Sequence, residues 1–256
     1  MVKAAISDIV PPTVTANDPH AFAHQCICQR QQSTGFDSLF RIQLSLEIGE
    51  SFIGVNDPAG LNRKGTPFEP NIFNLYNSRN WSGLDNNGMR QGASIARGEA
   101  VFNTTPINIK GVAGLNDVLG MDTIPGSCGT CHDTPNVGNH SVKALLDIGI
   151  ANAGVNAPPA LDISGLPVFT LKCTSGPLAG QVFVVTDPGR ALISGHCADI
   201  GKVKVPILRG LAGRSPYFHN GSAASRMDVV NFYDRRFNIG FTDGQKQDLV
   251  NFLEAL

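Results

Sequence analysis

The sequence predicts a mainly α domain laced with long irregular loops. Three observations predict it. Two stretches near the end, SRMDVVNFYDRRF (225–237) and FTDGQKQDLVNFLEAL (241–256), each open on a hydroxyl cap and place apolar residues at helical spacing. A third stretch, ASIARGEAVFN (93–103), repeats that spacing around Gly98. The rest is dense in turn formers, with 28 Gly, 16 Pro and only 16% charged residues, a composition that favours long hydrogen-bonded loops over continuous helix.

The 256 residues, 42% of them hydrophobic, suffice for one large or two small domains with a real core. A net charge of -1 gives no electrostatic footprint for nucleic acid or an anionic membrane. No window reaches the roughly 18 to 20 apolar residues of a membrane span. Residues 1–36 carry PP, NDP and QRQQ without a sustained period. The run SLFRIQLSLEIG (38–49) alternates and reads as a strand, with a helix as the alternative. From Gly54 to Gly92, Asn, Gly and Pro recur constantly, which predicts a long ordered loop pinned by Phe73, Tyr76 and Trp81. In the helix at 93–103, Ile95, Gly98, Val101 and Phe102 share a side, and Gly98 admits a second helix at close range. A short helix is expected near HSVKALLDIG (140–149) and a strand at QVFVVT (181–186). At the end, Ser225 caps with Asp228 and Thr242 with Gln245, and Leu249, Phe252, Leu253 and Leu256 form an apolar stripe.

Cysteine spacing carries the chemistry. Cys128-x-x-Cys131-His132 is the attachment signature of a c-type haem: two thiols become thioethers to the porphyrin and the adjoining imidazole ligates iron. The rival is zinc, because C-x-x-C is also half of a zinc ribbon. A ribbon needs a second close pair. Cys173 and Cys197 stand far apart, and Cys26-x-Cys28 has unsuitable spacing, so one covalent haem c is expected. Cys173 and Cys197 bracket residues 174–196 and are expected to close a disulfide, worth roughly 3 kcal/mol on the loop-entropy account. HAFAHQCICQ, with Cys26 and Cys28, has no reading. A helix with Gly and Phe before the haem motif and an apolar terminal helix make up the cytochrome c plan, in which the two cross at the haem edge. Haem attachment of this kind takes place outside the cytoplasm, so a periplasmic or otherwise exported protein is expected. The opening MVKAAISDIV is no export signal, so a removed leader, a fragment or a wrongly placed start is expected.

The second axial ligand separates electron transfer from peroxide or oxygen chemistry. At 100° per residue, Val229, Val230, Tyr233 and Phe237 fall within about 80° of arc, and Met227 lies about 100° from that stripe. A stripe facing the haem turns Tyr233 inward and Met227 away. On spacing alone, Tyr233 reads more readily as a core aromatic with a hydrogen-bonded hydroxyl than as a ligand. Met89 and Met121, in loops, remain alternatives.

KVPILRGLAGRSPYFHNGSAASRMDVVNFYDRRF (204–237), followed by TDGQKQDLVNFLEAL, resembles the C-terminal haem domain of bacterial dihaem cytochrome c peroxidases and MauG-like proteins. TDPGRALISG (186–195) and RGEAVFN (97–103) are similar to segments of that family, and the resemblance covers roughly 92–256. It implies a cytochrome c-like haem domain over 92–256. Residues 1–91 become an irregular segment, the remnant of or replacement for a first haem domain, because they contain no C-x-x-C-H. It implies that Cys128, Cys131 and His132 hold the electron-receiving haem, and it places Tyr233 where the peroxidases have a Met ligand and MauG-like proteins a Tyr. Met227 stays as the alternative. It further implies that Lys204, Pro206 and Arg209 line the haem, with Arg209 as propionate partner, and that Tyr217, Phe218 and His219 form an aromatic loop. The family also holds calcium near this loop; Gly210, Arg214 and Asn220 depart from its pattern there, which counts against calcium.

The reading is therefore a periplasmic monohaem domain that transfers electrons, with a small redox protein or quinone-linked donor as partner. The alternative is an enzyme, a cytochrome c peroxidase or MauG-like oxidase reducing hydrogen peroxide, with His219 as its acid/base group. A module with zinc or bare thiols is the third reading.

Overall fold

A computed structural model describes residues 56–58, 65–77, 84–141 and 144–256. The expected strand at 38–49, the Cys26–Cys28 stretch and Trp81 lie outside the described residues.

The first helix among the described residues, α1 (Asn86–Thr104), begins well before Ala93, so part of the expected loop is helical. Asp85 starts it: its carboxylate accepts from the Gly88 amide at 2.7 Å, satisfying a donor that the first turn leaves free. The NNGMRQG turn lacks an apolar period, which hid the extension. The segment before it is pinned as expected at Phe73 and Tyr76. Phe73 is fully buried between Phe102 and Phe252, with ring centroids 5.2 and 5.3 Å away. Tyr76 donates its hydroxyl to the Ala255 carbonyl. A second anchor had no sequence signal. Glu99 of α1 has no exposed surface, and its carboxylate accepts the amides of Leu75, Tyr76 and Asn77 at 2.7–2.9 Å.

Among the described residues the strands are short and pair antiparallel in three separate two-stranded ribbons. Strand β1 (Ile107–Ile109) pairs with β2 (Ile124–Gly126) around the short helix α2 (Asn116–Leu119). Strand β3 (Leu145–Leu146) pairs with β6 (Val203–Lys204). This corrects the helix expected at 140–149, of which residues 142–143 are not described. ALLDIG is apolar enough for either state, and the long-range partner decides. Strands β4 (Phe169–Lys172) and β5 (Val182–Val185) form a hairpin; β5 was expected and β4 was not. The expected disulfide joins Cys173 to Cys197. It lies in a small core of its own with Leu171, Val185, Ala191 of the short helix α3 (Ala191–Ser194), and Ile200.

Helices α4 (Arg226–Phe237) and α5 (Asp243–Ala255) form where expected, each opened by a full capping box, Ser225 with Asp228 and Thr242 with Gln245. Asn238 ends α4 in the left-handed region (φ 50°), a conformation Asn tolerates. Asp234 then accepts the amides of Gly240 and Phe241, so α5 turns back across α1. Gly98 makes that crossing close: a Cβ there would lie 2.0 Å from the Asp248 carbonyl oxygen. Around the crossing, Phe73, Phe102, Leu249, Phe252 and Leu253 are buried in one cluster, and Ile107, Ile109, Val112, Ile124 and Val205 in a second. Cys128 packs against both.

Candidate functional site

Strand β2 delivers the chain into the Cys–Cys–His turn. Ser127 caps a 3-10 turn over Cys128–Thr130: its hydroxyl accepts from the Gly129 amide, and its own amide donates to Thr130 Oγ1 at 3.0 Å. The amides of Cys131 and His132 both return to the Cys128 carbonyl. Gly129 is required within the turn, since a Cβ there would lie 2.6 Å from Ile72 Cγ1.

Cys128, Cys131 and His132 line one cavity of about 350 Å³. That volume falls within the about 300–1,000 Å³ of small-molecule sites. Burial pushes both thiols up to about 12, so they are neutral, free thiols. Burial also pulls His132 below the usual histidine range, favouring neutral imidazole. His132 Nδ1 donates to the Gly138 carbonyl at 2.7 Å, which fixes the ring and leaves Nε2 as the nitrogen that would meet a metal. Asp133, fully buried, ties down the loop that carries Gly138. Its Oδ1 accepts the Ser141 amide and hydroxyl, and its Oδ2 lies 2.9 Å from His140 Nδ1. Phe102 of α1 lies beside His132, with centroids 6.3 Å apart.

Helix α4 supplies a facing wall with Val229, Val230, Tyr233 and Phe237. Tyr233 stacks on Phe237 at 6.3 Å and meets Phe232 and Phe218 at 5.4 and 6.2 Å. Burial raises its phenol above the ordinary tyrosine value, with Cys131 and Cys128 adding to the rise. Phe218 reaches the cluster from a left-handed backbone (φ 67°). Met227 does not line the cavity. Met89 lies in α1 rather than in a loop, and Met121 is exposed.

Lys204, Pro206, Tyr217, Phe218 and His219 all line the cavity. Arg209 does not; it is exposed, and its carbonyl accepts from Arg214 Nη2. His219, 62% exposed in its side chain, is hydrogen-bonded through Nδ1 to Asp187. The sequence reading missed Arg214 and Arg226, which line the cavity. Arg226 had a signal: a cation in the first turn of a helix opposes the helix dipole.

The walls are mainly aliphatic and aromatic. Lys204, Arg214 and Arg226 add fixed positive charge, and no Asp or Glu lines the cavity among the described residues. Such a lining suits a large, flat, apolar ligand with acidic groups at an edge. A porphyrin with two propionates has that chemistry, and the neutral thiols and oriented imidazole have the chemistry of its attachment. The residues present therefore fit a c-type haem. Among the described residues no group of three His, Cys, Asp or Glu side chains converges into a metal cage, so the donor set for a zinc ribbon is missing there.

Comparison with known proteins points the same way. The chain is 33% identical over 141 residues to cytochrome-c peroxidase IdrP2 of Denitromonas iodatirespirans, a match covering 51% of the chain and 36% of that protein. It is 36% identical over 141 residues to cytochrome-c peroxidase IdrP1 of Pseudomonas sp. (strain SCT), covering 50% of the chain and 36% of the relative. Cytochrome c551 peroxidase of Nitrosomonas europaea is 28% identical over 149 residues, covering 57% and 36%. The chain thus spans about a third of the length of the curated relatives it matches. No family model and no solved structure matches.

Proposed function

We propose that this chain is a c-type haem domain of the cytochrome c peroxidase kind, mainly helical over 92–256, which carries electrons in the periplasm. One haem is bonded through Cys128 and Cys131 and ligated by His132. The observation that supports this most is the meeting of the Cys–Cys–His turn with Tyr233 across an apolar, cation-lined cavity. The names of the curated relatives support the peroxidase family. When bound, the haem supplies a one-electron Fe(III)/Fe(II) couple.

The chain's own residues do the rest. His132 is held by the Gly138 carbonyl, so its ligating nitrogen needs no reorientation. Tyr233, on the same cavity, would supply a second ligand to the iron; as phenolate it would favour ferric iron and lower the potential relative to methionine. The rings of Phe218, Phe232 and Phe237 pack around the Tyr233 ring and fix its position. A small redox protein or quinone-linked donor would pass electrons to the bound haem in a weak, transient contact.

A second reading, peroxide reduction by this domain, draws on His219. It stands at the cavity with Asp187 bonded to Nδ1, the arrangement that orients an acid/base histidine.

Intact mass tests the proposal. Produced with an export leader and haem-attachment machinery, the chain is expected to carry the mass of one haem and to show sharp c-type bands on reduction. A chain exported and matured in this way without added mass overturns the reading.

A further inference from the structure

The geometry points to Arg226, backed by Arg214, as the anchor for carboxylate groups of the cavity's ligand. On the function proposed above, on which this inference rests, those groups are the haem propionates. Arg209, the sequence-expected partner, lies outside the lining.

Arg226 is the first residue of α4, directly after the cap Ser225. Positive charge there opposes the helix dipole, so helix formation does not explain it. Nor does solvent, because its side chain is only 20% exposed. The guanidinium is held in place instead. Nη1 donates to the Tyr217 hydroxyl at 2.8 Å, and that hydroxyl donates onward to the Leu211 carbonyl at 2.9 Å. Nη2 lies 3.0 Å from Glu254 Oε1 on α5. The third donor, Nε, is buried and has no acceptor among the described residues.

A buried N–H on a charged group is costly to leave unpaired. Glu254 is 56% exposed and screened by water, so it offsets only part of the charge. Among the described residues the cavity wall offers no carboxylate of its own. Arg214 brings a second guanidinium to the same lining, tethered by Nη1 to the Ile207 carbonyl at 2.8 Å. An acidic edge on the ligand supplies the missing acceptor, and the planar guanidinium fork suits a carboxylate in particular.

The test uses the full chain carrying its covalent haem. Resonance Raman reads the propionate bending band, and redox titration reads the midpoint potential. Arg226→Leu is expected to shift the band and lower the potential, since a nearby cation favours the less positive, reduced iron. Arg226→Lys is expected to recover the potential but not the full band position, because the fork is lost. Glu254→Gln, on the surface, is expected to raise the potential by freeing Arg226 from its competitor, and it keeps the test alive if Arg226→Leu does not fold. An attached haem with the band unmoved in Arg226→Leu, or the potential unmoved in Glu254→Gln, overturns the anchor alone. A chain that takes up no haem overturns the function and the anchor together.

Discussion

Met227 and Tyr233 share one helix, yet only Tyr233 lines the cavity. The helical period alone separates them, so this distinction was legible before any fold was known. Replacing Tyr233 by Phe removes the phenol oxygen, the proposed ligand atom, and keeps the ring packing against Phe218, Phe232 and Phe237. The ferric spectrum is expected to change from low-spin to high-spin, with the thermal midpoint little altered. A spectrum that stays low-spin means that Tyr233 is not the ligand. Arg209 and Arg214 teach the opposite lesson. They lie five positions apart in one irregular loop, where no period says which side chain turns inward. The carbonyls of Ile207 and Arg209 hold Arg214 at the cavity.

At the scale of elements, the α1–α5 crossing organises the site, because it sets Phe102 beside His132 and closes the cavity with Leu249 and Leu253. Gly98→Ala places a methyl against the Asp248 carbonyl and is expected to cost about 1–3 kcal/mol, read as a lower urea midpoint. The same crossing carries a pH-sensitive tie. Asp248 accepts from Arg97 at 2.7 and 2.8 Å and from Ser94 at 2.5 Å. The Arg97 hydrogen bond is the main reason its carboxyl sits below the ordinary range, with burial opposing and Ser94 and the Arg97 charge assisting. A carboxyl depressed in the folded state stabilises above its unfolded value of about 3.9 and loses that contribution as pH falls through the folded value. Arg97 is 60% exposed, so the stabilisation is about 0.2–1 kcal/mol. The stability gap between the protein and Asp248→Asn is expected to be steady above about pH 5 and to close below about pH 4. Urea titrations at several pH values read it. Caps made α4 and α5 legible in the sequence, whereas Leu145–Leu146 became a strand only because Val203–Lys204 pairs with it.

At the scale of the molecule, the disulfide-stapled unit around β4 and β5 stands apart from the two clusters that flank the Cys–Cys–His turn. Just past β5, Asp187 meets His219 at the cavity. Replacing both Cys173 and Cys197 by Ser is expected to lower stability by roughly 3 kcal/mol, seen as a lower thermal midpoint. Haem attachment is expected to survive, because the motif lies in the other clusters.

Local sequence determined the Cys–Cys–His motif, helices α4 and α5, the second half of α1 and the inward face of α4. Each depends on spacing within a few residues, where caps and the helical period act directly. Only the tertiary structure decided which cations reach the cavity, that Glu99 pins the segment before α1, and that Asp187 meets His219. Those contacts join residues far apart in the chain, and their geometry exists only once the helices have packed.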